Sequence, residues 1–308
     1  MAKLTKVVSA IGSLKDLNSA RAEFDDASKT IPTEAAFPPE DIRPTEGDAR
    51  TLMLRVTNPG NLAEATPQSS SSQGDTFAVI HVPPAGDFAA VLVFNPSTQI
   101  ESGQTFGTIA DEGGWPVVVA MAEEFLGIRI DHIAEIESDA LGRVIDELGG
   151  LPVYSRAAFG ADGTDFVEGT NTLDGATSTI FTAADPVDDA GQTRTRNQRA
   201  VVRALIQALK SGGLVKDPNK GAAVLGHFAA GIKHNAELTT VELGKIANNL
   251  RALQPDDIAV VTVPTNSRRE DDGRVIIDFD PEAMPALKNA LAGNDLADFL
   301  RYLVSLGY

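Results

Sequence analysis

The chain contains no cysteine in its 308 residues, which excludes disulfides and thiolate metal sites. Histidine is scarce as well, and His81, His132, His227 and His234 do not fall at metal-ligand spacings. Basic residues are the minority sign. With 26 Lys and Arg against 43 Asp and Glu the net charge is −17, which argues against nucleic-acid binding driven by phosphate neutralisation. It also disfavours adsorption to anionic membranes. No apolar run approaches the ~20 residues of a membrane helix. The opening MAKLTKVVSAIG is too short and too polar in its apolar part for a signal peptide. No Gly-rich phosphate loop precedes a helix, and no Ser/His/Asp nucleophile signature is present. What the chain does have is apolar residues, 43% of the total, sufficient for a real core in one large domain or two small ones.

The most informative stretch runs from Trp115 to Val153. Val118, Val119, Ala122, Phe125 and Leu126 share one helical face, and Gly127 suits a left-handed cap. Ile128 to Glu137 reads as extended. Ser138 and Asp139 are N-cap types ahead of a second helical stripe, Leu141, Val144, Ile145 and Leu148. Gly149 and Gly150 stop that helix before Leu151-Pro152-Val153 turns extended again. Helix, strand, helix, strand is the pattern of an α/β sandwich.

Elsewhere the pattern predicts strands at Thr51–Val56, Asp75–Ile80, Phe88–Phe94, Ile258–Pro264 and Val275–Phe279. It predicts helices over Ala222–Lys233, Thr239–Leu253, Met284–Leu291 and Asp295–Leu306. Residues 1 to about 30 follow helical spacing through Val7, Val8, Ile11, Leu14, Leu17 and Ala20. Residues 31–48 are Pro- and Glu-rich without period and read as a linker. Asn58 to Gly74, with NPGN and SSSSQG, reads as a mobile polar insertion. The domain reading is an N-terminal helix and linker over 1–47, one α/β domain over 48–290 and a C-terminal helix over 291–308 packed on it. Arg194, Arg196, Arg199 and Arg203 cluster within ten positions of this acidic chain, at the start of a helix with Val202, Leu205, Ile206 and Leu209 on its buried face. That is either an anion seat or a solvated basic face. Arg129 and His132 read as structural.

The words FLGIRIDHIAEIE and VIDELGGLPV resemble the centre of the LytR-CpsA-Psr (LCP) domain. The resemblance covers roughly residues 50 to 280. It implies an α/β/α sandwich with a mixed central β-sheet flanked by helices. It also implies an extracytoplasmic cell-envelope protein, usually held by an N-terminal membrane helix, that transfers glycopolymers from polyprenyl-pyrophosphate carriers to the bacterial cell wall. Asp75 matches a family carboxylate that holds Mg²⁺, and Arg196 and Gln198 match an Arg-Gln-Gln segment. By this matching Asp75, Arg196 and Gln198 are the candidate catalytic residues, and Arg194, Arg196, Gln198 and Arg199 the candidate phosphate-binding residues.

Other matched positions have lost their charge. Thr57 or Asn58 stands where the family brings a second metal-binding carboxylate, and hard cations favour anionic oxygen. Ser97, Ala183 and Asp185 stand where it brings arginines, and neither a hydroxyl nor an anion substitutes for a guanidinium fork. Arg194, Arg199 or Arg156 arriving from elsewhere in space would be the compensation. The expected function is a degenerate family member that binds a polyprenyl-(pyro)phosphate lipid or glycopolymer, or a protein partner, with little or no transfer. The alternatives are an active Mg²⁺-dependent transferase with relocated arginines and a non-catalytic scaffold with an empty pocket. An apolar tunnel beside Arg196 would favour lipid binding.

Overall fold

Residues 89–94, AAVLVF, are apolar without interruption, and in the computed structural model all six are buried. Side chains alternate across a strand, so Ala90, Leu92 and Phe94 face one core while Ala89, Val91 and Val93 face another. A strand buried on both sides lies at the middle of a three-layer fold. The structure describes residues 28–58, 74–101, 103–186, 189–211, 217–293 and 295–307. Most of the N-terminal helical segment and most of the insertion after Asn58 lie outside them.

In chain order the described strands are β1 (Lys29–Ile31), β2 (Arg50–Thr57), β3 (Thr76–Val82), β4 (Ala89–Phe94), β5 (Thr98–Glu101), β6 (Gln104–Thr105), β7 (His132–Glu137), β8 (Leu151–Ser155), β9 (Phe159–Ala161), β10 (Thr164–Phe166), β11 (Gly169–Leu173), β12 (Ile232–Asn235), β13 (Ile258–Thr262), β14 (Thr265–Arg269) and β15 (Val275–Phe279). The α-helices are α1 (Thr33–Ala36), α2 (Phe106–Leu126), α3 (Ser138–Leu148), α4 (Gly175–Ala183), α5 (Gln192–Lys210), α6 (Pro218–Gly231), α7 (Thr240–Ala252), α8 (Ala283–Ala292) and α9 (Leu296–Leu306).

Seven strands form the central sheet in the order β1-β12-β7-β2-β3-β4-β13. β2 is parallel to β7 and antiparallel to β3, and β4 is antiparallel to β3 and parallel to β13. The sheet is therefore mixed, as expected. Helices α2, α8 and α9 cover one face through Val119, Leu126, Leu287, Leu300 and Leu303. Helices α3, α5, α6 and α7 cover the other through Ala140, Val202, Ile206, Ala229 and Ile246. Outside the sheet, β8 pairs with β11 and leans on α4 and α5 through Leu151, Val153, Phe181 and Val201. The cap at Gly127 is left-handed, with φ 69°, as its position predicted.

Three expectations are corrected. Residues 31–48 are not a linker: β1 pairs with β12, Ala36 is buried, and Arg43 reaches the buried Glu123 of α2 at 2.7 Å. Arg43 also donates to the Ile130 carbonyl, and Arg129 pairs with Glu40 at 2.7 Å. Long-range polar contacts of this kind leave no periodic trace in a sequence. The domain boundary at 47 accordingly falls inside the fold, and the one at 290 falls inside α8. The segment read as helix to Lys233 ends at Gly231, because Ile232 to Asn235 enters the sheet beside β7. His132 is a strand residue near the Asn235 amide at 3.4 Å, in keeping with a structural role.

Candidate functional site

β2 ends beside the start of β3, with Val56 opposite Thr76, so Asn58 and Asp75 meet at one end of these central strands. The Asn58 backbone N–H donates to Asp75 Oδ1 at 2.9 Å. On the other oxygen sits Arg55, whose Nε donates to Asp75 Oδ2 at 2.7 Å and whose Nη2 lies 2.6 Å from the same atom. The same Nη2 is 3.7 Å from Asp111 Oδ1 on α2. Arg55 packs over the Phe77 ring at 5.3 Å. Asp75 is itself buried. Burial pushes its carboxyl above the ordinary value, the Arg55 charge pulls it back, and Asp111 pushes it further up.

This arrangement does not fit Mg²⁺. A magnesium ion takes one or two carboxylates as anionic oxygen ligands in an octahedral shell, whereas Asp75 Oδ2 already meets two nitrogens of Arg55 and the Arg55 guanidinium lies between Asp75 and Asp111, where a dication would be repelled. Among the described residues no group of three or more His, Asp or Glu is placed to hold a metal ion. The sequence carried a signal for Arg55: it is the charge inside the buried run TLMLRV, and a charge there requires a partner.

The start of α5 brings a second guanidinium to the same end of the sheet. Gly191, at φ 80°, leaves a gap in which a Cβ would sit 3.5 Å from both Arg194 Nη1 and Ser97 Oγ. Arg194 Nε donates to the Ala183 carbonyl at 3.1 Å, and Nη2 pairs with Asp185 at 3.1 Å. So Arg194 comes up beside Ser97, Ala183 and Asp185, the three positions where the resemblance expects arginines, and spends its charge on Asp185. Burial raises the Asp185 carboxyl against the opposing pull of Arg194. Gln198, one turn on, donates through Nε2 to the Asp75 carbonyl at 3.2 Å. Asp75, Gln198, Arg55 and Asp111 are thus joined by direct contacts, and Arg194 lies one helical turn before Gln198 with its guanidinium on Asp185.

Arg196 and Arg199 are not part of this group. Two residues on a helix turn the side chain by about 200°, so Arg196 points away from Gln198. With Arg199 and Arg203 it lines a pocket of about 670 Å³ bounded by β8, the Arg156 segment and the end of α9. The expected single cluster is split by the helical period into two faces of α5. The space beside Arg196 is a pocket in which four arginines share the walls with apolar residues such as Val153, Phe159, Ala200 and Val304.

The sequence profile of the LytR_cpsA_psr family matches residues 65–293. The chain belongs to that family. Its fold agrees: it superposes on the B. subtilis TagV crystal structure with a TM-score of 0.64 at 16% identity, over 82% of this chain and 98% of that one. For the LytR-Csp2A-Psr enzyme from Actinomyces oris the TM-score is 0.62 at 16% identity, over 85% and 96%. TagT bound to LI-WTA gives 0.60 at 16%, over 85% and 99%. Among curated family members, the polyisoprenyl-teichoic acid–peptidoglycan teichoic acid transferase TagU of Bacillus subtilis (strain 168) is 34% identical over 97 residues, 30% of this chain. The protein of the same name from Bacillus mycoides (strain KBAB4) is 25% identical over 197 residues, 63% of this chain and 58% of its own length. The chain spans 31% of the B. subtilis protein's length.

Proposed function

We propose that this LCP-family chain works at the extracytoplasmic cell envelope as a binder of a polyprenyl-phosphate-type lipid, or of the glycopolymer such a lipid carries, with little or no transferase activity. The two TagU proteins named above are polyisoprenyl-teichoic acid–peptidoglycan teichoic acid transferases, which supplies the ligand class. The observation that carries the loss of transfer is the Arg55 guanidinium on Asp75. Phosphoryl transfer is catalysed mainly by positioning and by stabilising developing charge with metal ions and guanidinium groups. At this centre the carboxylate is already neutralised by a fixed cation. Arg55 is paired with Asp75 and lies near Asp111, and Arg194, at the same end of the sheet, is paired with Asp185. Little positive charge is left for a transition state.

One observation favours the second reading, an active transferase with a relocated arginine: Arg194 comes beside Ser97, Ala183 and Asp185. Calorimetry with a polyprenyl-pyrophosphate analogue, with and without Mg²⁺, together with a single-turnover transfer assay, separates the two. Binding of the same strength in both conditions and no transfer is expected. Binding that strengthens with Mg²⁺ and is followed by turnover would establish the active enzyme.

A further inference from the structure

The pocket on the outer face of α5 combines positive charges that have no ion-pair partner among the described residues. Arg199 forms its floor. The residue is buried, its Nη2 donates to the Gly307 carbonyl at 3.1 Å, and its Nε has no hydrogen-bond partner among the described residues. Arg196 is half-buried beside it, while Arg156 and Arg203 stand at the exposed rim. Arg156 approaches the same Gly307, where a Cβ would lie 3.7 Å from its Nη2. The Arg203 hydrogen bond goes to a neutral acceptor, the Val260 carbonyl. Burial and then the charges of Arg203, Arg196 and Arg156 pull Arg199 down to about 9, so it is still protonated at neutral pH. The carboxylate felt by Arg196 is Asp189, whose oxygens already accept from the Thr193 amide and hydroxyl.

Four guanidiniums held together without carboxylate partners cost folding free energy in any chain, and in a chain of net charge −17 they run against the composition. A bound anion would relieve that cost, since whatever binds the native state stabilises it. The guanidinium fork matches phosphate oxygens bidentately. A monophosphate would leave part of the charge of four arginines unmatched.

We propose that Arg156, Arg196, Arg199 and Arg203 form a binding site for an anion carrying at least two phosphate groups, separate from the Asp75 centre and needing no metal. Val153, Ala200, Ala204 and Val304 on the same walls accommodate an organic group attached to those phosphates.

The test is calorimetry of the full chain with inorganic pyrophosphate in metal-free, low-salt buffer, beside orthophosphate and farnesyl pyrophosphate. Saturable pyrophosphate binding, tighter than that of orthophosphate, is expected. Arg156→Ala and Arg203→Ala should each weaken it roughly 10- to 100-fold, as loss of a charge-assisted hydrogen bond does, with an unliganded Tm no lower than that of the parent. Tighter binding of the farnesyl compound would identify a lipid head as the source of the phosphates, and equal binding a free or polymer-borne diphosphate. Arginine side-chain NMR should show Nε shifts at the four pocket residues and none at Arg55 or Arg194. No saturable binding, no preference over orthophosphate, or a parallel fall in Tm and affinity in both variants would overturn the site. So would shifts confined to Arg55 and Arg194, which leave the proposed function intact. Pyrophosphate in this pocket together with Mg²⁺-dependent transfer would instead remove the silent-transferase reading and leave the pocket standing.

Discussion

The two faces of α5 solve the same electrostatic problem in opposite ways. On the inner face Arg194 pairs with Asp185, and the neighbouring Arg55 pairs with Asp75 and lies near Asp111. On the outer face Arg196, Arg199 and Arg203 converge with Arg156 and form no salt bridge among the described residues. A buried charge is tolerated when it is paired and hydrogen-bonded, and it is costly otherwise. The inner face therefore behaves as part of the scaffold, and the outer face as a place waiting for counter-charge. The contrast between a carboxylate closed by Arg55 and a cluster of guanidiniums on the far side of α5 is the basis of the proposed binding function.

The strongest way to break the comparison is to remove Arg55. Arg55→Ala strands the Asp75 carboxylate, and loss of one partner of a buried pair costs about 3–5 kcal/mol, to be read by urea denaturation. The double variant with Asp75→Asn should recover a large part of that loss, because no charge is left behind. A single variant within ~1 kcal/mol of the parent would mean that the inner face is not held by its pairs.

Acid titration tests how the same interior treats a group that can shed its charge. Burial pulls His81, which shares a hydrogen bond with Thr51 at 2.9 Å, down to about 4 from its ordinary 6.5. Between those values the unfolded chain binds a proton that the folded chain refuses, so stability falls as the pH drops from about 6.5 towards 4. The loss over that window is on the order of 3 kcal/mol at ~1.4 kcal/mol per unit. His81→Gln should flatten this part of the profile. Arg199 meets a comparable desolvation, but from its much higher starting value it remains charged at neutral pH. That is why the outer pocket keeps its field.

Two smaller effects should differ in sign. Gln198→Leu removes the donor to the Asp75 carbonyl on the inner face and should cost about 1 kcal/mol. Arg196→Ala on the outer face removes repulsion from a half-exposed site and should change unliganded stability by about 0.5 kcal/mol or less, in the stabilising direction. A clear loss with Arg196→Ala would show that the outer guanidiniums are structural after all.

Much of the architecture was legible in local pattern. The run AAVLVF marks a strand buried on both faces, Thr239 caps α7 by accepting from the Glu242 amide, and Gly127 and Gly149 end their helices in left-handed geometry. The family resemblance located Asp75 and the cluster of arginines. It did not reveal that Arg55 closes Asp75, because a strand side chain and a residue 20 positions later meet only through the β2–β3 register. Nor did it separate Gln198 from Arg196. Adjacent matches in a motif look like one site until the helical turn is drawn, and the partners of Arg196, above all Arg156, come from a different element.

The sequence alone determined the layers, the strands and helices within them, and the family, since each depends on periodicity or on wording within a short window. Only the tertiary structure decided which charges are matched. Pairing is set by distances between segments far apart along the chain, and Coulomb energies depend on those distances and on burial, neither of which a linear string contains.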